Sequence, residues 1–209
     1  MEYTQILSYV HALRPILYFQ SHDFRSVDEI ICKISGEAHI YEFREGLGVV
    51  DFATKYLLAE DKLSQFLDTN KDNGYSQETF LILKDIHNKL RDPDIIALLK
   101  YIAERTLYTS GYQQTIVVVS GECIIPSELE HLITIVSQNK PTQNDIENII
   151  HEYAKNLDFK IDEKDIGELA LELKGFSFFQ IKQVLDLAYT NGGLISINDK
   201  ILYFLKKSK

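Results

Sequence analysis

The sequence predicts an α/β domain with a five-stranded, mostly parallel sheet over residues 1–140, followed by a small helical domain over 141–209. Short β-rich runs alternate with helical stretches as far as residue 140, which is the pattern of βα units. Three of these runs are almost wholly apolar, as in strands that helices cover on both faces. After Pro141 only helical patterns remain.

Five segments have the composition of β-strands. They are ILYFQ (16–20), AHIYEF (38–43), TFLILK (79–84), TIVVVS (115–120) and LITIVS (132–137).

Helices between these strands are indicated by their ends. Ser26 and Glu29 have the spacing of a capping box ahead of an apolar stretch. Asp92 supplies a cap acceptor, Pro93 suits the first helical position, and Gly111 follows the predicted end. The segment TKYLLAEDKLSQFL (54–67) is also predicted to be a helix.

The second domain is predicted to be a bundle of four helices. Their segments are TQNDIENIIHEYAKNL, DEKDIGELALELK, SFFQIKQVLDLAY and SINDKILYFLKK. Phe176, Phe178 and Phe179 cluster at the start of the third segment, where we expect them to form the bundle core. The alternative is an exposed aromatic edge that docks a neighbouring module.

Composition excludes several classes of function. The formal net charge of −9 argues against a surface for duplex nucleic acid, which needs clustered lysine and arginine. No apolar run approaches the ~20 residues that cross a bilayer, and the N-terminus has the pattern of an amphipathic helix. Cys32 and Cys123 lie among apolar residues, so we expect both to be buried and reduced, as in a cytoplasmic protein.

The five strands and the helical domain together resemble the ATPase module of the AAA family. The resemblance is carried by FLILKDIH at the third strand, QTIVVVSGECIIPSELEHLITIV from the fourth strand to the fifth, and ALELKGFSFFQIKQVL in the helical domain. In particular, the chain is similar to the first, nucleotide-deficient module of two-module AAA proteins of cyanobacteria and algal plastids. The resemblance implies strand order 5-1-4-3-2, a four-helix lid, ring assembly as a homo-oligomer such as a hexamer, and a cytoplasmic or plastid-stroma location.

The phosphate-binding loop of this family is missing from the sequence. Such a loop needs glycines whose backbone wraps the phosphates, a lysine that reaches them and a hydroxyl that holds Mg²⁺. The corresponding segment SHDFRSVDE (21–29) has no glycine and no lysine. Asp23 and Asp28 add charge that repels a polyphosphate, and the capping box would occupy the helix N-terminus.

The end of the third strand departs from the family in the same way. Alignment on an apolar strand that ends in Asp-Glu places Lys84 at the metal-linked aspartate and Asp85 at the glutamate. A shift of one residue makes Asp85 the metal ligand but leaves Ile86 in place of the glutamate. Lys84 either pairs with Asp85 or Asp23 as a fixed internal cation, or lies in solvent at the strand end.

Other groups needed for catalysis are also lacking. Arg105 is the last arginine, so the region from the fourth strand onward offers neither an arginine finger nor a lid arginine. Ser21, His22 and Asp23 are adjacent and cannot converge as a hydrolytic triad. His87 is expected to be a surface or capping histidine, since no histidine or cysteine has metal-ligand spacing.

The favoured hypothesis is therefore a catalytically inactive AAA-like module with an assembly or regulatory role, without catalytic residues, bound metal or bound nucleotide. Its partner would be an active AAA ATPase module in the same polypeptide or another one, with no nucleic acid and no membrane. One alternative is an atypical ATPase that binds ATP and Mg²⁺, with Asp85 on the metal and Lys84 or Arg25 on phosphate. A second is a clamp-loader-like adaptor for DNA processing, against which the acidic charge weighs.

Overall fold

The chain forms two compact units, residues 1–138 and residues 139–209. The computed structural model describes residues 3–136, 140–157 and 163–190. In these residues no helix is long and apolar enough to cross a membrane.

The first unit is built on one sheet, which has seven strands in the described residues. The strands are β1 (Ile16–Gln20), β2 (His39–Arg44), β3 (Gly48–Val50), β4 (Leu57–Ala59), β5 (Thr79–Lys84), β6 (Gln114–Ser120) and β7 (Ile133–Val136). Their order is β4-β3-β2-β5-β6-β1-β7. Strands β2, β5, β6, β1 and β7 are parallel, whereas β3 and β4 are antiparallel.

The prediction of a five-stranded sheet is therefore wrong in strand number. A hairpin of β3 and β4 extends the sheet beyond β2, so the sheet is mixed rather than parallel throughout. Leu57 to Ala59 belong to this hairpin, and the helix predicted over 54–67 begins only at Leu63. Pairing of Val49 with Ala59 and of Val50 with Leu57 supplies the non-local hydrogen bonds that override the helical pattern.

Helices cover both faces of the sheet. In the first unit they are α1 (Tyr3–His11), α2 (Phe24–Ile34), α3 (Leu63–Asn70) and α4 (Pro93–Tyr108), with short 3₁₀ turns at Asn73–Tyr75, Ile86–Arg91 and Glu130–Leu132. Helix α4 begins as predicted, because the Asp92 carboxylate accepts a hydrogen bond of 3.0 Å from the backbone N–H of Asp94.

Alternate residues of the central strands enter different cores. On one face they pack against α3 and α4, and on the other against α1 and α2. Phe80 and Ile82 of β5 belong to the α1/α2 face. Since side chains alternate along a strand, Lys84 continues that row and points toward α2. The fold thus brings a cation to the carboxyl end of β5 on this face.

The second unit has helices α5 (Gln143–Asn156), α6 (Glu163–Glu172) and α7 (Phe178–Thr190). Their apolar faces form one core of residues including Ile146, Ile150, Leu169, Ile181 and Leu185. The fourth predicted helix, SINDKILYFLKK, lies outside the described residues.

The environment of the two cysteines differs from the prediction. Both are free thiols, but Cys32 is exposed and Cys123 is half-buried. Burial raises the pKa of the Cys123 thiol. Cys32 belongs to α2 but lies outside the buried stripe of Val27, Ile31 and Ile34. Its apolar neighbours in sequence therefore did not indicate its burial.

Candidate functional site: a buried ion network at the end of β5

Lys84 ends strand β5 with a side chain that has no exposed surface. Its ammonium donates to both carboxylate oxygens of Asp28, at 2.6 and 2.9 Å, and lies 3.1 Å from Oε1 of Glu42. Asp28 belongs to the second turn of α2, and Glu42 lies on the neighbouring strand β2. The ammonium is therefore enclosed between a helix and the sheet.

Both expectations for Lys84 are wrong in detail. It is not in solvent, and its carboxylate partners are neither Asp85 nor Asp23. Asp85 follows the strand with a left-handed backbone (φ 59°) and is exposed. Asp23 is the N-cap of α2, where its carboxylate accepts the backbone N–H of Ser26 at 3.0 Å.

Lys55 closes the arrangement from the turn that precedes β4. Its ammonium lies 2.8 Å from Oδ2 of Asp28 and 2.8 Å from Oε2 of Glu42. Arg44 adds a third cation, because its Nε donates to Oε1 of Glu42. We call these five residues the Lys84 network. In it, two carboxylates that are 16% and 0% exposed are each bound by at least two cations.

Two aromatic rings lie close to the ammonium groups of the network. The ring centroid of Phe52 lies 4.0 Å from the Lys55 ammonium and 5.8 Å from that of Lys84. Phe24, at the first position of α2, lies 5.7 Å from the Lys84 ammonium. These distances fall within the range of cation–π attraction, which compensates part of the lost hydration.

The two ammonium groups respond to this environment in opposite directions. Burial lowers the pKa of Lys84 because it removes the charge from water, although the hydrogen bond to Asp28 and the charge of Glu42 oppose the shift. For Lys55 burial acts in the same sense, but the hydrogen bonds to Asp28 and Glu42 outweigh it and raise the pKa. Lys55, which is a third exposed, is therefore the more firmly protonated of the two.

The turn after β1 is held by hydrogen bonds within the protein. Helix α2 begins at Phe24, three residues before the predicted start, so the predicted capping box of Ser26 and Glu29 is wrong. Its N-terminus is nevertheless capped by an acid, Asp23, whose own N–H donates to Ser21 Oγ at 3.0 Å. Donors and negative charge at this helix end are thus used within the protein.

His22 covers the same turn. A β-carbon added to Gly121, directly after β6, would lie 2.0 Å from Cε1 of the His22 ring. The imidazole therefore rests against the backbone of Gly121. No side chain other than hydrogen fits at Gly121 while His22 keeps this position.

His87 and Ser120 form a second polar contact at the carboxyl end of the sheet. Ser120 Oγ lies 2.8 Å from Nδ1 of His87, and Nε2 of His87 lies 3.9 Å from a carboxylate oxygen of Glu122. The order Ser–His–Glu is that of a hydrolytic triad. Ser120 has no exposed surface, however, so its hydroxyl cannot meet a substrate.

The other nucleotide-contact candidates lie apart from the network. Arg25 has a side chain that is 72% exposed and is paired with Glu29 at 3.5 Å. Asp85 is exposed on the far side of its left-handed turn. Only Lys84 of the three candidates enters the site. In the described residues no group of three histidine, cysteine, aspartate or glutamate side chains could hold a metal ion.

Arg105 is held within its own unit. Its guanidinium carbon lies 4.5, 5.0 and 4.7 Å from the ring centroids of Tyr75, Tyr101 and Tyr112, and its Nη1 donates to the Asp72 carboxylate. The side chain is 13% exposed. The last arginine of the chain is therefore engaged by its own neighbours.

The phenylalanines of the helical unit divide between core and surface. Phe176 packs against the core, but Phe178 and Phe179 are 45% and 43% exposed at the start of α7. The expectation that all three form the core is wrong for these two, because the buried residues of the helix are Ile181, Leu185 and Ala188.

Sequence reasoning missed most of the Lys84 network. Asp28, Glu42 and Lys55 lie 56, 42 and 29 positions from Lys84, so spacing along the chain does not connect them. One signal was present: Glu42 interrupts an apolar strand next to the strand that ends in Lys84. Opposite charges at inward positions of neighbouring parallel strands indicate a buried pair.

Comparisons with known proteins agree with the fold. A family model described as SpoVK-like AAA ATPase, N-terminal domain, matches residues 3–138. The AAA domain-containing protein ycf46 of Trieres chinensis is 25% identical over 184 residues, which cover 87% of this chain and 36% of that protein. The ycf46 protein of Guillardia theta is 21% identical over 212 residues, covering 93% and 38%. The chain thus spans little more than a third of these relatives.

Solved structures share the fold. The Holliday junction branch migration motor RuvB of Thermotoga maritima superposes with a TM-score of 0.60 at 17% identity, over 97% of this chain and 68% of that one. A Walker-type ATPase of Pyrococcus abyssi gives 0.63 at 11% identity, over 98% and 71%. PCH-2 of C. elegans gives 0.62 at 14% identity, over 98% and 66%.

Proposed function

Because the chain belongs to the family of SpoVK-like AAA ATPase N-terminal domains, we propose that it is a catalytically inactive AAA-like module with an assembly or regulatory role. The observation that carries the proposal is the Lys84 network. It puts an ammonium, bound by two carboxylates, at the strand end where the family resemblance would place a metal-linked aspartate.

The residues present do not fit a bound Mg²⁺–ATP. A magnesium ion needs oxygen ligands, but the Asp28 and Glu42 carboxylates are already neutralised by lysines at 2.6–3.1 Å. A triphosphate needs free backbone donors and a cation, yet the turn at 21–26 has an acidic cap. Release of Lys84 toward phosphate would leave two buried carboxylates short of a cation.

In place of a ligand, the network joins elements that a nucleotide would otherwise bridge. It ties α2, β2, β5 and the β3–β4 hairpin together through side chains alone. Such a module would keep the fold of an AAA domain without an ATP-driven change of state. That property suits a fixed partner of an active AAA module, in the same polypeptide or another one.

Calorimetry with ATP tests the absence of nucleotide chemistry. We expect no binding heat at millimolar Mg²⁺–ATP and no phosphate release above a buffer control. Binding with a micromolar dissociation constant would overturn the proposal. The same titration with magnesium omitted separates a metal-dependent site from nonspecific triphosphate binding.

An atypical ATPase remains the competing function. It would use Asp85 on the metal and Lys84 or Arg25 on phosphate. Turnover that requires Mg²⁺ and is abolished by Asp85→Ala would favour it, provided that Asp92→Ala, a helix-cap change, leaves turnover intact.

The partner half of the proposal has its own test. If the partner lies in the same polypeptide, the coding sequence that continues this chain encodes a second module with G-x-x-x-x-G-K-[ST] after its first strand. If it lies in another polypeptide, a purified active AAA ATPase encoded beside this gene should change its ATPase rate when this chain is added. If no second module is encoded and no ATPase rate changes, the assembly role is refuted. The prediction that the chain does not bind ATP would be unaffected.

A further inference from the structure

A cleft of about 640 Å³ opens at the carboxyl end of the sheet on the α3/α4 face. Its walls are the β2–β3 turn, the start of α3 and the start of α4, all within the first unit. This volume is in the usual range for binding clefts, ~300–1,000 Å³. It lies on the opposite face of the sheet from Lys84, so the ion network does not account for it.

The cleft has an apolar floor. Phe43, Leu63 and Ile95 line it, and each is at most 3% exposed in the folded chain. Leu47 and Leu57 line it nearer the surface and are 56% and 48% exposed. Two exposed leucines beside a buried apolar floor leave a surface that apolar side chains of a partner could cover.

The rim of the cleft is acidic. Five carboxylates and two ammonium groups line it, from Glu45, Glu60, Asp61, Asp92, Asp94, Lys62 and Lys89. One lysine, Lys89, is paired with Glu45 at 3.4 Å. In residues 3–136, Glu60, Asp61 and Asp94 have no cation within 4.0 Å. These three side chains are exposed, so the rim carries more negative than positive charge.

We propose that this acidic cleft is a docking site for a basic, apolar peptide segment of a partner protein. Apolar side chains of the segment would cover Leu47 and Leu57 above the floor. Lysine or arginine side chains beside them would meet Glu60, Asp61 and Asp94. Charge complementarity selects this occupant over an acidic or neutral apolar segment, because like charges at the rim repel. The proposal is independent of whether the module binds nucleotide.

Fluorescence anisotropy with designed peptides tests the occupant. The probe is a short labelled peptide in which phenylalanine alternates with lysine. Its controls are the phenylalanine–glutamate peptide and the serine–lysine peptide. We expect the full chain to bind the probe with a dissociation constant below about 100 µM and to bind both controls at least ~tenfold more weakly.

Matched substitutions then locate the binding. Glu60→Lys and Asp61→Lys should each weaken probe binding about three- to tenfold, because a charge reversal replaces attraction with repulsion. Glu152→Lys makes the same charge change at an exposed position of α5 and should alter binding less than ~twofold. Leu57→Ser should weaken binding more than Leu171→Ser, whose leucine is 56% exposed in the helical unit. Circular dichroism verifies that each variant is folded.

Several outcomes would overturn the proposal. Equal binding of the serine–lysine peptide would mean that the apolar floor has no part in recognition. Binding unaffected by Glu60→Lys and Asp61→Lys would place the peptide elsewhere. Displacement of the probe by millimolar Ca²⁺ but not by Na⁺ of equal ionic strength would make the rim a cation site instead. No probe binding would exclude the docking site outright.

Discussion

Replacement of Lys84 by methionine is the most direct perturbation of the buried ion network. Methionine has a similar length and no charge, so it keeps the packing along β5 and removes only the ammonium. Asp28 would then depend on Lys55, and Glu42 on Lys55 and Arg44.

The expected loss of unfolding free energy is about 3 kcal/mol. Removing one partner of a buried ion pair costs about 3–5 kcal/mol, because the remaining charge stays buried without compensation. Here the loss falls at the low end, since each carboxylate keeps a cation within 2.8 Å. For a unit of residues 1–138 this corresponds to a decrease in Tm of about 10 °C.

Urea denaturation followed by far-ultraviolet circular dichroism measures this loss. Tyrosine fluorescence gives a second probe, because the chain has 12 tyrosines and no tryptophan. Lys100→Met is the matched control: Lys100 is 43% exposed and 3.8 Å from Glu104, so its loss should stay below about 0.5 kcal/mol. The double variant Lys84→Met, Asp28→Asn should lose about 1–3 kcal/mol less unfolding free energy than the sum of the losses in the two single variants.

The reasoning would be refuted if Lys84→Met unfolded within about 0.5 kcal/mol of the parent, as the exposed control does. Strict additivity with Asp28→Asn would also refute it, because directly bonded charges must be coupled.

Three further variants test other features. Gly48→Ala should lower the unfolding free energy by about 1–3 kcal/mol, because φ is +113° and the β-carbon would lie 2.3 Å from a carbonyl oxygen. The control Gly46→Ala, also at positive φ but in open space, should lower the unfolding free energy less in the same urea titration. Gly121→Ala should lose less than about 1 kcal/mol, because the β-carbon would meet only the ring of the exposed His22, which can turn toward solvent; an added His22→Ala should remove that loss. Burial raises the pKa of Tyr112 above its usual value of 10.0. The stability that Tyr112 contributes is therefore present below pH 10 and is lost as the pH rises further. The variant Tyr112→Phe should show a smaller decline of Tm between about pH 9 and 11 than the parent. A Tm profile of that variant parallel to the parent's would exclude this origin.

Local sequence patterns were sufficient to predict the parallel strands. Strands β1 and β5 have the predicted bounds, because continuous apolar runs bounded by polar residues admit few other structures in an α/β domain. The start of α4 could also be predicted, since Asp92 and Pro93 act on backbone groups one or two positions away. Interactions confined to one turn can be inferred from sequence.

Interactions across the fold could not be inferred in the same way. The β3–β4 hairpin was missed because Leu57 and Leu58 also fit a helical face, and only pairing with β3 makes them a strand. Lys84 was singled out as anomalous, but its partners Asp28 and Glu42 come from a helix and a neighbouring strand, and Lys55, which binds the same carboxylates, comes from a turn. The fold, rather than spacing along the chain, brings those charges together.

The closed arrangement of charges around Lys84 also constrains how this lineage could change. Loss of the charge at Lys84, Asp28 or Glu42 alone leaves the remaining buried charges unbalanced, so each such single replacement is destabilising. A carboxylate in place of Lys84 would therefore require a compensating change at Asp28 or Glu42. The network therefore favours replacements that change several of its charges together over replacements that change one.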